Sequence, residues 1–391
     1  MAYPSPLKRV AIIATNEFDA YAGSELLWSE AAERLANDGC EVFVNAPRWS
    51  AEPDRISRLR RHERVRFVVR PSAMSMARRV LAKAGLGGVE SFFARYRREY
   101  LLTTRPDLVV ISQGGLVDGA SWMEACVGAG VPFVAIVHLV ADSLWPAPEQ
   151  AMRAAAVYPH AARVYFVSEE NRTSAGRQLG TTFSNSAIAR NPFNVAYESP
   201  PEWPAETGEW KLACVGRLGA EHKGQDLLIE VLSTPKWRDR PLSVTMFGQG
   251  HHQAYLERLI ALRGCDQVKF GGYTNGIAEV WRDHHAMVMP SRYEGLPIAL
   301  VEAMLCHRMA IVTDVGGNTE LVEEALTGFV AAAPNISSVD AALERAWQQR
   351  DRWHAMGVTA GKRVRATVPA DPVGEFVTEI CSLADGEARI G

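Results

Sequence analysis

No apolar run in the chain approaches the roughly 18 residues of a membrane-crossing helix, so none is expected. The opening stretch, "MAYPSPLKRVAIIATNEFD", is too briefly apolar and too early in acid to read as a secretory signal, which points to a cytoplasmic protein. Cysteine is sparse: Cys40, Cys126, Cys214, Cys265, Cys306 and Cys381 are scattered without a C-x-x-C pair, so neither a disulfide framework nor a structural zinc is expected. Net charge is small, −3 with a pI near 6.4, which argues against a general nucleic-acid binder. The first apolar run is not followed by G-x-G-x-x-G with an acid about 20 residues later, which argues against an NAD-dependent dehydrogenase. There is no D-x-D loop and no His/Cys cluster of convincing ligand spacing; the two "HH" pairs, at 251–252 and 284–285, read as polar surface. No metal and no cofactor is expected.

What the chain does have is alternation. With 391 residues, 47% hydrophobic and 22% charged, it can bury two or three ordinary cores. Apolar runs at 9–15, 41–47, 64–70, 107–113, 132–138 and 163–169 are continuous rather than alternating, which predicts parallel strands covered on both faces, with helical patterns between them. A segment rich in proline and acid, "NVAYESPPEWPAETGEW" at 194–210, lacks such periodicity, and beyond it the strands resume at 211–217, 242–248, 267–273, 285–291, 309–315 and 328–334. The reading is an α/β chain of two doubly wound, Rossmann-like domains facing across a cleft. We place an acceptor-side domain at 1–195, a linker at 196–210, a donor-binding domain at 211–370 and a C-terminal helix, 371–391, returning to the first domain.

Ligands of doubly wound sheets bind beyond the carboxyl ends of the strands, so the loops there are the places to look. The first such loop, "NEFDAYAGSELL", has the small Gly23 opening a helix. In "VGRLGAEHKGQDLL", Arg217 follows a strand and Lys223 precedes a helix, a pair suited to a diphosphate; ordinary solvated charge is the other reading of either alone. The stretch "SRYEGLPIALVEAML" at 291–305 sets Glu294 and Glu302 eight positions apart around an apolar run. A helix from Pro297 to about Arg308 places Glu302 on a buried face with Ile298 and Leu305, where a carboxylate is costly unless hydrogen-bonded or paired. Two readings stand: Glu302 accepts hydrogen bonds from the diol of a ligand, or it pairs with an internal arginine.

These motifs together carry a family likeness. "GRL…KG", then "EGLPIALVEAM", then "VGGNTELV" and "TGFV", in that order, resemble the retaining family-4 glycosyltransferases of GT-B architecture over nearly the whole second domain. "AGSE", "VHLVAD" and "IARNPFN" resemble that family's first domain more loosely. The resemblance implies that Gly216, Arg217 and Lys223 hold the donor diphosphate and that Glu302 takes the ribose hydroxyls. It implies that Glu294 faces the transferred sugar, while Gly295 and Leu296 offer backbone N–H groups to sugar and phosphate. Gly23 would approach the phosphates from the first domain, and His138 would bind a donor-sugar hydroxyl. Two departures stand out: Ala22 where the family often has a second glycine, and Leu139 where it often has aspartate. A core histidine satisfied by backbone is the other reading of His138.

The resemblance implies transfer of a hexosyl group from a nucleoside-diphosphate sugar to an acceptor hydroxyl, with retention and without a metal, in glycan, glycolipid or cell-surface polysaccharide synthesis. Arg217, Lys223, Glu294 and His138 are the residues expected to carry the chemistry. A nucleotide-sugar epimerase and a non-enzymatic nucleotide-sugar sensor are the alternatives. Residues 55–105 hold fourteen Lys or Arg against three Glu, and "SMARRVLAKAGLGGVESFFARYRREYLL" interleaves Phe92, Phe93, Tyr96 and Tyr100 with them. That region is expected to meet an anionic, lipid-linked acceptor or the inner face of a membrane; solvated and internally paired charge is the competing reading.

Overall fold

A computed structural model describes residues 7–16, 23–49, 52–70 and 88–384. The chain divides into two compact units, Met1–Pro192 with Asp371–Gly391, and Phe193–Ala370.

The first unit is built on a seven-stranded parallel sheet of β1 (Arg9–Ala14), β2 (Glu41–Pro47), β3 (Val65–Arg70), β4 (Leu108–Gln113), β5 (Phe133–Val137), β6 (Arg163–Phe166) and β7 (Ser186–Ile188), in the order 3-2-1-4-5-6-7. β4 and β5 are buried at every position, the signature of strands covered on both faces. One cover includes Leu27, Trp28 and Leu35 of the helix Gly23–Asn37 together with Val373, Phe376 and Ile380 of the C-terminal helix Pro372–Ala384. The other includes Tyr100, Trp122 and Met123. The strand order reverses between β1 and β4.

The second unit repeats the plan with β8 (Trp210–Val215), β9 (Leu242–Phe247), β10 (Val268–Gly272), β11 (Ala286–Met289), β12 (Met309–Thr313) and β13 (Gly328–Ala331), all parallel, in the order 10-9-8-11-12-13. Here the order reverses between β8 and β11, so the loops leaving those two strands flank the switch point where such sheets bind ligands.

The linker segment 196–210 packs on the second unit: the Trp203 ring stacks on His354 at 4.6 Å, and Tyr197 Oη donates to the carbonyls of Arg365 and Val368. One expectation needs revising. His284 and His285 are not surface but 6% and 5% exposed, because His284 Nδ1 meets the Val280 carbonyl and His285 Nδ1 accepts the Lys211 N–H. Burial accordingly lowers the pKa of both rings. Of the aromatics interleaved with the basic residues, Phe92 is 61% exposed, Tyr100 is buried with its hydroxyl on the Phe43 carbonyl, and the Tyr96 hydroxyl accepts from Asn45. All of "SMARRVLAKAGLG", residues 75–87, lies outside the described residues.

Candidate functional site

In the second unit the loop after β8 and the loop after β11 are knitted together by four kinds of contact. The Arg292 N–H donates to the His222 carbonyl at 2.7 Å. The Arg292 guanidinium forks onto Asp226, with both N–H···O distances 2.7 Å, and also reaches the Ala220 carbonyl. The His222 ring lies flat on Tyr293, centroids 4.3 Å apart and planes 10° from parallel. Lys223 Nζ donates to Glu294 Oε1 at 2.5 Å. Gly224 makes this approach possible: its φ is +65°, and a Cβ there would lie 2.0 Å from the Pro290 carbonyl oxygen.

Glu294 is 5% exposed. Burial would raise its pKa, but the Lys223 ammonium and then His222 overcome that and hold the carboxyl at about 2. Ser291 Oγ also donates to Oε1, and Ser291 is itself pinned by Thr313 Oγ1 on its carbonyl. Glu294 is therefore a fixed anion, oriented by three neighbours. Arg217 Nη2 stands 3.5 Å from His222 Nδ1, and His222 Nε2 stands 3.7 Å from Glu294 Oε2, an ion-pair spacing too long for a hydrogen bond. His222 thus sits between the cation and the anion of the site. The sequence reading passed over it, although its place beside Lys223 in "EHKG" was the available signal.

Just past Glu294 the backbone turns into the helix Ile298–Leu305, with Pro297 as its N-cap rather than its first residue. Among the described residues nothing accepts a hydrogen bond from the N–H groups of Gly295 or Leu296. Two unused donors at a switch point favour an anion. The Gly295 carbonyl accepts from Gly317, which seats the "VGGN" loop against the same turn.

Glu302 is 4% exposed and does not meet an arginine. Its Oε1 accepts two hydrogen bonds from Asn194, from the backbone N–H at 2.8 Å and from Nδ2 at 3.0 Å. Burial outweighs these donors and raises the pKa to about 7. Oε2 has no hydrogen-bond partner among the described residues and is not sealed from the surface. One oxygen is spent on structure and the other is available.

Gly23 and His138 belong to the first unit. Gly23 is the first residue of its helix; residues 17–22, including Ala22, lie outside the described residues. His138 follows β5 and is 7% exposed, with Nε2 3.2 Å from Ser112 Oγ at the end of β4. Burial lowers its pKa to about 4, with the Asn191 side chain pulling weakly the other way, so the ring is neutral at pH 7. Its Nδ1 is buried without a hydrogen-bond partner. Backbone contacts do not satisfy this imidazole, in contrast to His284 and His285.

Residues 21–197 match the family model described as glycosyltransferase family 4, and residues 197–363 match that for glycosyl transferases group 1. An α-D-kanosaminyltransferase of Streptomyces kanamyceticus is 34% identical over 134 residues, covering 34% of either chain. The lipopolysaccharide core mannosyltransferase LpsB of Rhizobium meliloti is 32% identical over 142 residues, 34% of this chain and 40% of LpsB. In these matches the chain spans only a third to two fifths of the length of such curated relatives. Solved structures follow the fold over nearly its full length. A glycosyltransferase from Rickettsia africae superposes with a TM-score of 0.74 at 14% identity, covering 96% of this chain and 98% of that one. Anabaena Alr3699/HepE in complex with UDP gives 0.72 at 17%, covering 96% and 99%.

Proposed function

The chain belongs to the GT-B glycosyltransferases, and from that premise we propose that it moves a hexosyl group from a nucleoside-diphosphate sugar to an acceptor hydroxyl, with retention of configuration, in glycan or cell-surface polysaccharide synthesis. The observation that carries this reading is the paired arrangement at the β8/β11 switch point: cationic Arg217 and Lys223, the unused N–H groups of Gly295 and Leu296, and the open oxygen of Glu302. Departure of the diphosphate builds negative charge, and preorganised cations and N–H groups stabilise it without reorganising. In this scheme Arg217 and Lys223 neutralise the leaving group. Glu294, kept ionised, faces the sugar ring, where positive charge develops as the glycosidic bond breaks. Glu302 Oε2 takes the ribose diol. UDP is bound by Alr3699/HepE and supplies the first nucleotide to try. The galactosyltransferase relative from Escherichia coli is named for a diphosphoundecaprenol acceptor, and a lipid-linked glycan is the acceptor class assigned here.

The test is thermal shift against a panel of UDP, GDP, ADP and dTDP sugars, repeated on Arg217→Ala and Glu302→Ala. A ligand that binds only the folded state at about 100 times its Kd stabilises by roughly 2.7 kcal/mol. We expect one nucleotide to raise Tm in the wild type and to lose most of that rise in both variants. A panel without any rise would overturn the donor-site reading. NMR of the anomeric proton of a transferred sugar then decides retention.

A further inference from the structure

The loop after β9, residues 248–252, lies against the segment that carries Arg217. The Leu218 N–H donates to the Gln249 carbonyl at 3.0 Å, and the His252 N–H donates back to the Leu218 carbonyl at 3.1 Å. Gly250 comes so close that a Cβ there would stand 2.2 Å from the Leu218 oxygen. This docking brings His251 and His252 over Glu221, in the short helix Ala220–Lys223. Glu221 Oε1 is 3.2 Å from His251 Nε2, and Oε2 is 2.7 Å from His252 Nδ1. One ligand atom from each of the three residues falls within 4.8 Å of the others.

The 3.2 Å spacing fits neighbouring donors on one ion, because ligands held at about 2.0–2.2 Å from a metal stand about 3 Å or a little more from each other, whereas the 2.7 Å spacing is a hydrogen-bonding distance that opens slightly when an ion enters. His252 Nδ1 also accepts the Ala220 N–H at 3.1 Å. A ring nitrogen has a single lone pair, so an ion bound at Nδ1 displaces that N–H contact.

We propose that Glu221, His251 and His252 form a divalent-cation site of the zinc type. Two imidazoles and a carboxylate make a borderline N,N,O set, suited to Zn²⁺ rather than Mg²⁺ or Ca²⁺. His251 and Glu221 are half-exposed, at 53% and 47%, so water completes the coordination and the ion exchanges with solvent. The ligands come from two separate loops, and the ion staples the loop after β9 to the segment of Arg217 and Lys223. It takes no part in the transfer proposed above, and the site stands or falls independently of it.

The experiment is titration of untagged, full-length protein with Zn²⁺ by calorimetry at neutral pH, with Co²⁺ absorption as the coordination readout and Tm as the stability readout. We expect one Zn²⁺ per chain, a rise in Tm, and a Co²⁺ band typical of low coordination number. His251→Ala and Glu221→Gln, exposed positions at which folding is checked by far-UV circular dichroism, should each weaken Zn²⁺ by at least about tenfold, since losing even an outer partner of a ligand costs that much. Absence of Zn²⁺ binding overturns the proposal, as does equal affinity in wild type and both variants. A Tm that answers to acidification but not to Zn²⁺ makes the cluster a proton-shared ion pair and equally overturns it.

Discussion

Glu302 is held by Asn194 on one oxygen, and that arrangement carries a pH signature. With a native pKa raised to about 7 against 4.5 in the unfolded chain, the native state binds the extra proton between those values. Its favourable contribution is complete below pH 4.5 and is lost as pH rises to 7. Glu302→Gln keeps an acceptor for both Asn194 donors while removing the charge. We therefore expect the variant to gain on the wild type from pH 5 to pH 8 by up to roughly 3 kcal/mol, measured by urea unfolding; parallel pH profiles would refute this. A diol donating to Oε2 favours the carboxylate, so nucleotide binding should release a proton near neutrality and tighten as pH rises through that window. Calorimetry in buffers of different ionisation enthalpy reads the proton, and Glu302→Gln should abolish it.

At the scale of elements, the proposed donor site depends on two loops meeting. Gly224 has a left-handed φ and a carbonyl where a side chain would go, whereas Arg292 and Asp226 form a forked pair that keeps some exposure. Arg292→Leu is expected to cost about 1–2 kcal/mol. Gly224→Ala should cost clearly more, since strain and a backbone clash add and no side chain can move aside. If urea midpoints rank the two variants the other way, the close approach is not what fixes the loops. The Arg217 and Lys223 pair and the "EGLP" turn were legible in the sequence, as were twelve of the strands, because continuous apolar runs in parallel sheets announce themselves. β7 was not: "SAI" is three half-buried residues whose place comes from pairing with β6. Nor were the partners across the chain, since Asn194 and Glu302 are joined by folding and no spacing reveals it. His284 and His285 looked like surface because polar residues do, and only the carbonyl and N–H waiting beside each ring made burial tolerable.

At the scale of the whole molecule, charge is unevenly spread. The chain has 42 basic against 45 acidic residues, yet residues 55–105 are strongly basic. Partners outside the segment take some of that charge: Arg55 pairs with Glu30, and Arg60 with Glu52. Arg58, Arg61, Arg64 and Arg66 remain exposed around β3, at the rim of the first unit's sheet. Cations on an edge strand have a plain structural use, since they discourage strand pairing between molecules. They also attract an anionic lipid surface, at about 1 kcal/mol per residue near the membrane, and salt screens that attraction. The two roles separate in one comparison. If the patch meets lipid, the wild type should co-sediment with anionic vesicles at low salt, release on raising salt, and lose most of its pelleting when Arg58, Arg61, Arg64 and Arg66 are changed to Glu. Equal pelleting of both proteins, with aggregation only in the variant, would leave the arginines as edge protection and remove the membrane from the account of the acceptor.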